Sequence, residues 1–346
     1  MNSSKVEKQN QKYQCKIYKF DTSIQKEIKP LSKLDNYHCI QALLEDYFLI
    51  SICILITYYI SWYFYPLAIL IIGARQRALA TLLHESAHET LARNKYLNFA
   101  IGTFFSGYLI LQTFTGYKKI HVDSHHKHLG NPLLDPDYSF HISEGLYDCY
   151  NTSEFINRYI IKPLFLAKVP NYLYSLMKNR LSIKQSNQLE TVLMFSYLLT
   201  IIILLWHLHC AHLIILFWLI PYLTIFQIIG WFIELSEHYP LVGNSDTDLY
   251  MTRNRKSYWL EAFFLSIHNE NYHSDHHLNP ATPFWNLPKA HQIRLRDSTY
   301  SEINQSAGGI FISSNKSLSV VQSIIHKIAS QSSLHSKETT QNLPSP

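Results

Sequence analysis

Two long apolar blocks dominate the pattern of hydrophobic and polar positions along the chain. The first covers residues 47–73 without a charged side chain, and the second covers 191–233 with one polar interruption at 207–212. Because about 20 apolar residues span a bilayer as a helix, the second block predicts two membrane spans, at about 191–207 and 212–231.

The first block is long for one span and short for two. Pro66 is suited to the first turn of a new helix, so the block predicts a pair of spans at about 47–64 and 66–84. The second span of this pair carries Arg75 and Arg77. Charged side chains at membrane depth are costly and normally face the interior of a helix bundle, so we expect both arginines to point inward.

The segments that flank the blocks differ from them in composition. Residues 1–45 are polar and contain eight lysines, whereas residues 301–346 are rich in serine. We therefore predict a cytoplasmic N-terminal segment over 1–45, a membrane domain over 46–300 and a flexible C-terminal tail over 301–346. The predicted fold class is all-α: an integral membrane protein with about four transmembrane helices and a cytoplasmic helical cap.

Charge supports a membrane protein and gives it an orientation. Only 16% of the residues are charged, against about 25% in an average soluble domain. The net charge of +5 is too small to indicate nucleic-acid binding, and the scattered cysteines predict reduced thiols.

Lysine and arginine collect in 1–45 and 116–189 and are absent near 64–66 and 207–212. By the positive-inside rule, both termini and the middle connection are expected in the cytoplasm.

Histidine is the residue type that points to chemistry, with 19 in the chain. Nine of them stand beside apolar stretches, as three groups and one residue after the last span: His84 and His88; His121, His125 and His126; His273, His276 and His277; and His238. The i, i+4 spacing of the first group puts both rings on one helical face. Imidazole is a common metal ligand and one structural zinc takes four ligands, so eight or nine rings predict two metal ions.

A shared metal site also constrains the topology. The three groups can meet only if they lie on the same side of the membrane. The two predicted spans between the second and third groups satisfy this condition. The first and second groups flank a third apolar stretch at 97–115, which we therefore expect to be a buried or re-entrant helix that does not cross.

The histidine groups form recognisable motifs: HESAH at 84–88, HVDSHH at 121–126 and HSDHH at 273–277. Their neighbours are ARQRAL at 74–79, DPD at 135–137, NYH at 271–273 and PFWNLP at 283–288. Together these motifs resemble the three histidine boxes of the membrane fatty acid desaturase family, which also includes lipid hydroxylases and carotenoid ketolases. The resemblance covers about residues 45–296. The second box has three residues between His121 and His125, where two is the commoner spacing.

The resemblance implies a four-span membrane enzyme whose cap holds two iron ions and uses O2 as co-substrate. It implies that a histidine after the last span, His238, joins the box ligands, and that the ligands are the catalytic residues. Glu234, Asp137 and Asn269 are candidates for orienting the ligands or a bound water. The implied substrate is an acyl lipid or an acyl carrier. The implied electron donor is a separate protein of the ferredoxin or cytochrome b5 type.

Other functions stay open at this point. A lipid or carotenoid hydroxylase or ketolase would share the same boxes. His84, Glu85 and His88 alone also match the H-E-x-x-H signature of a membrane zinc metalloprotease, which would leave the second and third groups unexplained. A metal transporter would need ionisable residues within its spans, and the spans carry few besides Arg75 and Arg77.

Overall fold

The structure is a computed structural model that describes residues 15–179, 187–256, 258–304, 307–315 and 317–341. Within these ranges the chain is helical and forms no β-strand beyond isolated bridges. The helices are α1 (Thr22–Ile28), α2 (His38–Ile60), α3 (Trp62–Ala87), α4 (Lys95–Ile110), α5 (Phe114–His128), α6 (Pro136–Ser143), α7 (152–164), α8 (Val169–Asn179), α9 (Gln188–His207), α10 (Ala211–His238), α11 (Trp259–Leu265), α12 (His273–Leu278), α13 (Leu287–Arg294), α14 (Ser298–Asn304) and α15 (Val320–Gln341).

Four of the described helices are long and apolar enough to cross a membrane, and they are α2, α3, α9 and α10. The predicted all-α fold with about four such helices is therefore confirmed. The observed helices are longer than the predicted spans. α2 begins at His38 because Cys39, Ala42 and Asp46 continue its buried face toward the N-terminus at helical spacing, and α10 runs on to His238.

The helices α4 and α5 occupy the third apolar stretch, and they meet at a bend of 89°. Leu111, in the break between them, has a left-handed backbone with φ of 59°. This is the geometry of a broken span or of a re-entrant loop. Our expectation that the stretch does not cross the membrane stays a prediction.

The helix α3 is the centre of the bundle. Buried residues make up 67% of its most apolar window, against 11% to 33% in the other three long helices. At Gly73 an added Cβ would lie 2.5 Å from the Cβ of Ile225, so glycine lets α3 and α10 approach closely. The same helix ends in the first histidine box, which ties the position of that box to the core.

The two arginines of α3 face the interior of the protein, as expected for charges at this depth. The Arg75 Nη1 atom lies 3.4 Å from Asp46 Oδ1, and its Nη2 donates to the backbone carbonyl of Phe263. The Arg77 Nη2 atom donates to Glu270 Oε1 at 3.0 Å. Both guanidinium groups thus join the membrane helices to the segment that leads into the third box.

Part of the serine-rich C-terminal segment packs against the helix bundle. Val320, Ile324 and Ile328 of α15 are buried in one hydrophobic cluster with Phe232 of α10. The carboxylate of Glu261 accepts hydrogen bonds from backbone N–H groups in 310–312. The division of the chain at residues 45 and 300 stays a prediction.

Candidate metal centre

Four helices bring the nine histidines to one end of the bundle. The C-terminal turn of α3 carries the first box, and the C-terminal half of α5 carries the second. His238 is the last residue of α10, and the short helix α12 carries the third box. A hydrogen-bonded contact between α3 and α4 fixes the first box, because Asn98 Nδ2 donates to the Ser86 carbonyl at 2.9 Å and Ser86 Oγ donates back to the Asn98 carbonyl at 2.8 Å.

Five of the rings form one cluster, in which one ring nitrogen of each lies within 4.8 Å of the others. The members of this five-histidine cluster are His84, His88, His121, His126 and His276. The Nε2 atom of His126 is 3.1 Å from the Nε2 atoms of both His121 and His276. The cluster therefore draws ligand candidates from all three boxes.

The remaining rings form a second cluster beside the first. His125, His238 and His277 meet the same distance criterion, and the Nε2 atom of His273 lies 2.9 Å from that of His238. We call these four residues the four-histidine cluster. The rings of His126 and His277 stack at a centroid distance of 4.1 Å, so the two clusters are in direct contact.

Each double histidine of the sequence is divided between the two clusters. His125 belongs to the four-histidine cluster and His126 to the five-histidine cluster. His277 and His276 are divided in the same way. Successive residues on a helix point about 100° apart, so a pair of adjacent histidines can serve two neighbouring sites and hold them at a fixed separation.

The unusual spacing of the second box is accommodated by a change in helix type. Residues His121–His125 form a π-helical turn, and the backbone N–H of His126 donates to the carbonyl of His121. A π-turn closes with an i→i+5 bond and occurs often at functional sites. It brings His121 and His126 onto one face, which an α-helix would not do at that spacing.

Several rings form a hydrogen bond through the nitrogen that points away from the cluster, and the acceptor is a carboxylate or a backbone carbonyl. Asp135 Oδ1 lies 2.9 Å from His125 Nδ1, and the Met251 carbonyl lies 3.2 Å from His238 Nδ1. An N–H must donate in both cases, which leaves Nε2 of each ring directed into the four-histidine cluster. Partners of this kind fix the tautomer and orientation of ligating histidines.

Two further carboxylates lie near ring nitrogens. Glu237 Oε1 is 3.5 Å from His273 Nδ1 and 3.3 Å from Arg255 Nη2. Glu85 Oε1 is 3.3 Å from His84 Nδ1. Each cluster thus has at least one acid behind its rings.

Burial and neighbouring charges shift the pKa values of the histidines in the second and third boxes. Burial, reinforced by neighbouring histidines, lowers the pKa well below its usual value for the rings of His121, His126, His273, His276 and His277. Neutral imidazole is the form that binds metals. Burial also acts to lower the pKa of His125, but Asp135 and Asp137 outweigh it and raise that pKa to about 9.

The ring nitrogens fit metal ions in two respects. Four buried nitrogens have no hydrogen-bond partner within the described residues: His88 Nε2, His125 Nε2, His276 Nδ1 and His277 Nε2. Buried polar atoms are nearly always paired, so an orphaned atom needs an explanation such as an ion. The facing Nε2 pairs at 2.9–3.1 Å also match the roughly 3 Å separation of two ligands that each lie ~2.0–2.1 Å from one metal ion.

The three predicted accessory residues lie in different surroundings. Asp137 Oδ2 is 3.5 Å from His125 Nδ1, and Glu234 lines the cavity beside the histidines. Asn269 does not line that cavity. Its side-chain amide donates to the Phe284 carbonyl at 3.0 Å. The structure therefore brings Asp137 and Glu234 to the centre and puts Asn269 into the loop behind it.

Several supporting residues lie outside the motifs and were not identified from the sequence. The buried carboxylate of Asp275 accepts hydrogen bonds from Tyr300 Oη at 2.6 Å and Asn254 Nδ2 at 2.7 Å, and it pairs with Arg294. Asn254 Oδ1 also accepts from the backbone N–H of Ser274 at 2.9 Å. These contacts fix the N-terminal turn of α12. They join residues 19 to 25 positions apart, a separation that no local pattern reveals.

Glu85, the glutamate of the H-E-x-x-H motif, has partners that do not suit a protease base. Its Oε2 atom accepts from the Phe284 backbone N–H at 3.0 Å and the Thr90 hydroxyl at 3.1 Å. The other oxygen lies against His84. The carboxylate thus joins α3 to the segment after the third box, which is a structural position.

Comparison with known proteins identifies the family. A fatty acid desaturase family model matches residues 60–306. The chain is 40% identical over 300 residues to dihydrorhizobitoxine desaturase of Bradyrhizobium elkanii, with 85% of each protein covered. It is 32% identical over 125 residues to the sn-1 acyl-lipid omega-3 desaturase (ferredoxin) of Nostoc sp. (strain 36), with 36% of this chain and 33% of that protein covered. The chain therefore belongs to the fatty acid desaturase family, and it is an enzyme, an oxidoreductase of the desaturase type.

Proposed function

We propose that this enzyme is an O2-dependent di-iron desaturase that introduces a double bond into a saturated hydrocarbon chain. Membership of the family favours a fatty acyl chain as that substrate. The observation that carries the proposal is the convergence of nine histidines from four helices into two adjoining clusters. The five-histidine cluster would hold one iron and the four-histidine cluster the other.

The overall reaction needs both irons and an outside source of electrons. Two hydrogen atoms leave adjacent carbons, and O2 is reduced to two waters with two further electrons and two protons. Amino-acid side chains cannot carry out this oxidation, so the bound metals supply it. The protein supplies ligand geometry, a water-poor site and the placement of one carbon–carbon bond.

The cavity beside the histidines supports this assignment. It has a volume of about 140 Å³, and Ile120, Phe140, Phe284 and Leu287 contribute apolar walls. An aliphatic segment of a substrate could lie against these walls next to both clusters. A hydroxylase or ketolase would use the same walls and ligands, because removal of the first hydrogen is common to these reactions.

The electron donor is proposed to be a separate protein of the ferredoxin or cytochrome b5 type. The Nostoc relative is named with ferredoxin, which favours ferredoxin. Following the positive-inside rule, we propose that the metal centre and both termini face the cytoplasm. A donor would then reach the cap from that side.

A second substrate class is favoured by the relative with the longer alignment. Dihydrorhizobitoxine desaturase is named for dihydrorhizobitoxine and not for an acyl lipid, and it aligns with 85% of this chain. The second candidate is therefore a dihydro compound outside the acyl lipids, oxidised at the same centre.

Product profiling in an expressing host tests the proposed reaction. The lipid extract and the aqueous extract are both searched by mass spectrometry for compounds that are lighter than a host compound by two hydrogen atoms. We expect such a product with the wild type and with the exposed-site control His326→Ala, and none with His84→Ala. A hydroxylated product in its place, or no difference from the empty vector in either extract, would contradict desaturation.

A further inference from the structure

The connection between α5 and α9 carries a patch of large apolar side chains on its surface. Ile161 is 43% exposed, Leu164 is 46% exposed and Phe165 is 79% exposed. All three lie where α7 ends and the chain turns toward α8. The charge distribution predicts that this connection is cytoplasmic, yet contiguous exposed apolar residues mark a surface that binds something.

The helix that leads to this patch runs down the side of α10. Near the metal centre, the ring of Phe155 stacks on the ring of Tyr239 at a centroid distance of 6.1 Å. Further along α7, the carbonyl of Tyr159 accepts a hydrogen bond from Trp231 Nε1 at 2.9 Å. As the residue number rises in α7 it falls in α10. The two helices therefore run in opposite directions, and α7 leads away from the metal centre.

The same course continues into α8. Val169 lines a small cavity together with Gln227 of α10, and Leu173 packs against a hydrophobic cluster that includes Tyr222. Because a helix rises 1.5 Å per residue, Gln227 lies about 16 Å along α10 from His238, and Tyr222 lies about 24 Å from it. The exposed patch stands in the chain between the contact with Trp231 and these deeper contacts.

These levels of α10 fall within the bilayer. The helix has 28 residues, or about 42 Å of length, whereas the hydrocarbon core of a bilayer is ~30 Å thick. A core that begins at Ala211, the end far from the histidines, would end about 20 residues later, near Trp231. Tryptophan is typical of that boundary. Gln227 and Tyr222 lie on its apolar side, so the parts of α8 beside them are at the depth of the acyl chains.

The backbone of the turn between α7 and α8 suits an apolar environment. In lipid, backbone N–H groups must find their partners within the protein. The N–H groups of Phe165, Leu166 and Ala167 donate to carbonyls within 161–163, and Pro163 has no N–H. None of these donors is left unpaired on the surface of the turn.

The lysines of this region suit the border between acyl chains and headgroups. Lys168 Nζ lies 5.2 Å from the ring centre of Trp231 and pairs with the carboxylate of Glu144. Its charge is therefore compensated at the level of the boundary tryptophan. Lys162 is exposed beside the patch. Long lysine side chains can bury their methylene groups in lipid and extend the ammonium group to the anionic headgroups.

We propose that residues 161–173 lie in the membrane leaflet on the side of the metal centre, where Ile161, Leu164 and Phe165 contact lipid acyl chains. The segment dips into this leaflet and returns without crossing the membrane. Its inner side lines a cavity of about 20 Å³ that shares Phe140 with the cavity of the metal centre. The acyl chains of this leaflet are therefore separated from the metal-centre cavity only by this segment.

Spin labels along α7 test the depth of the segment. The native cysteines are replaced, one new cysteine at a time carries a nitroxide, and the protein is reconstituted in vesicles of phosphatidylcholine and phosphatidylglycerol. Collisions of the label with O2, which concentrates among acyl chains, are compared with collisions with the nickel complex Ni-EDDA, which stays in water. The labelled variants are Ser153→Cys, Asn157→Cys, Ile161→Cys and Phe165→Cys. All four positions are exposed, so the substitutions remove no packed side chain.

The ratio of the two collision rates should change sign along the helix. We expect Ni-EDDA to dominate at Ser153→Cys and Asn157→Cys, and O2 to dominate at Ile161→Cys and Phe165→Cys. Leu199→Cys is the control for lipid contact, since Leu199 is 56% exposed in the middle of α9. Dominance of Ni-EDDA at Phe165→Cys, as at Ser153→Cys, would overturn the proposal.

Photolabelling of the unmodified chain is a second measurement. The vesicles carry a phosphatidylcholine with a diazirine in its acyl chain, and lipid adducts are mapped by mass spectrometry after irradiation. We expect adducts within 161–165 and within α9. Adducts in α9 without any in 161–165 would also overturn the proposal. Neither measurement uses turnover or iron, so a failure here leaves the desaturase function standing, and a protein without iron would overturn that function alone.

Discussion

The buried carboxylate of Asp135 has two roles, one toward a histidine ring and one toward a helix. It accepts a hydrogen bond from His125 Nδ1 at 2.9 Å, and it caps α6 by accepting from the backbone N–H groups of Asp137 and Tyr138. Asparagine can still cap a helix, but it cannot stabilise a donating imidazole as a carboxylate does. Asp135→Asn therefore separates the two roles.

We predict that Asp135→Asn lowers metal affinity at the four-histidine cluster by roughly 10–100-fold, the usual effect of losing a partner of a metal-ligating histidine. Iron per chain is measured by mass spectrometry after equilibration with limiting iron. Asp123→Asn is the matched control, since Asp123 lies in the same box but is exposed. Equal losses in the two variants would contradict the role assigned to Asp135.

The position of Glu85 leads to a second prediction at the residue scale. Glu85→Gln should keep measurable product with a loss of roughly 10–100-fold, because the carboxylate supports His84 and the backbone of Phe284 and is not a proposed ligand. His84→Ala in the same background should form no product. Activity of Glu85→Gln as low as that of His84→Ala, with both irons retained, would make Glu85 a catalytic residue.

At the residue scale, the sequence allowed the candidate ligands and some of their supports to be chosen, among them Asp137 and Glu234, but not all of the supports. Spacing and motif identified eight of the nine histidines that converge in the structure, and the position of His238 after the last span, together with the family resemblance, identified the ninth. The supports Asn254 and Tyr300 approach Asp275 only through tertiary packing. Asn269 precedes the third box by four residues, and the left-handed backbone of the neighbouring His268 belongs to a loop conformation that its position in the sequence does not reveal.

At the scale of the elements, the serine-rich composition around α15 does not indicate that this helix packs against the bundle. Its buried residues Val320, Ile324 and Ile328 recur every four positions, as expected for one face of a helix. The surrounding serines lower the overall hydrophobicity of 301–346, and this composition is the basis for predicting a flexible tail, which stays a prediction.

We predict that Ile324→Ala lowers the free energy of unfolding by about 2–5 kcal/mol, because it removes a buried side chain from a packed cluster. Ile324 is 1% exposed, whereas Ile17 is 76% exposed, so Ile17→Ala is the matched control. Thermal unfolding in detergent should show a lower midpoint for the first variant only. Coinciding midpoints for both variants and the wild type would mean that α15 does not contribute to the fold.

Two features at this scale could not be predicted in detail. The spacing of the second box departed from the family pattern, and only the structure accommodates it, through the π-turn at His121–His125. The extension of α2 back to His38 depends on burial of Asp46, which pairs with Arg75 and His268. A hydropathy profile ends a span at a charged residue such as Asp46, but here Arg75 and His268 compensate its charge.

At the scale of the whole molecule, the orientation in the membrane is the prediction that depends most on charge distribution. We expect both termini and the connection 116–189 to face the cytoplasm. In a variant without native cysteines, Ser153→Cys should resist an impermeant thiol reagent in intact cells, while His209→Cys in the opposite connection should react. Both positions are exposed. Labelling of Ser153→Cys from outside would contradict the predicted orientation and would mean that the α4–α5 pair crosses the membrane or that residues 47–84 cross it only once.

The proposed centre consists of two metal ions held by nine histidines, and the iron content of the purified protein tests this most directly. The protein is expressed with iron supplied, purified in detergent, and assayed for iron and zinc per chain by mass spectrometry. We predict two irons per chain for the wild type and for His326→Ala. His238→Ala removes one ring of the four-histidine cluster and should fall toward one iron. One zinc and no iron in the wild type would contradict the di-iron centre.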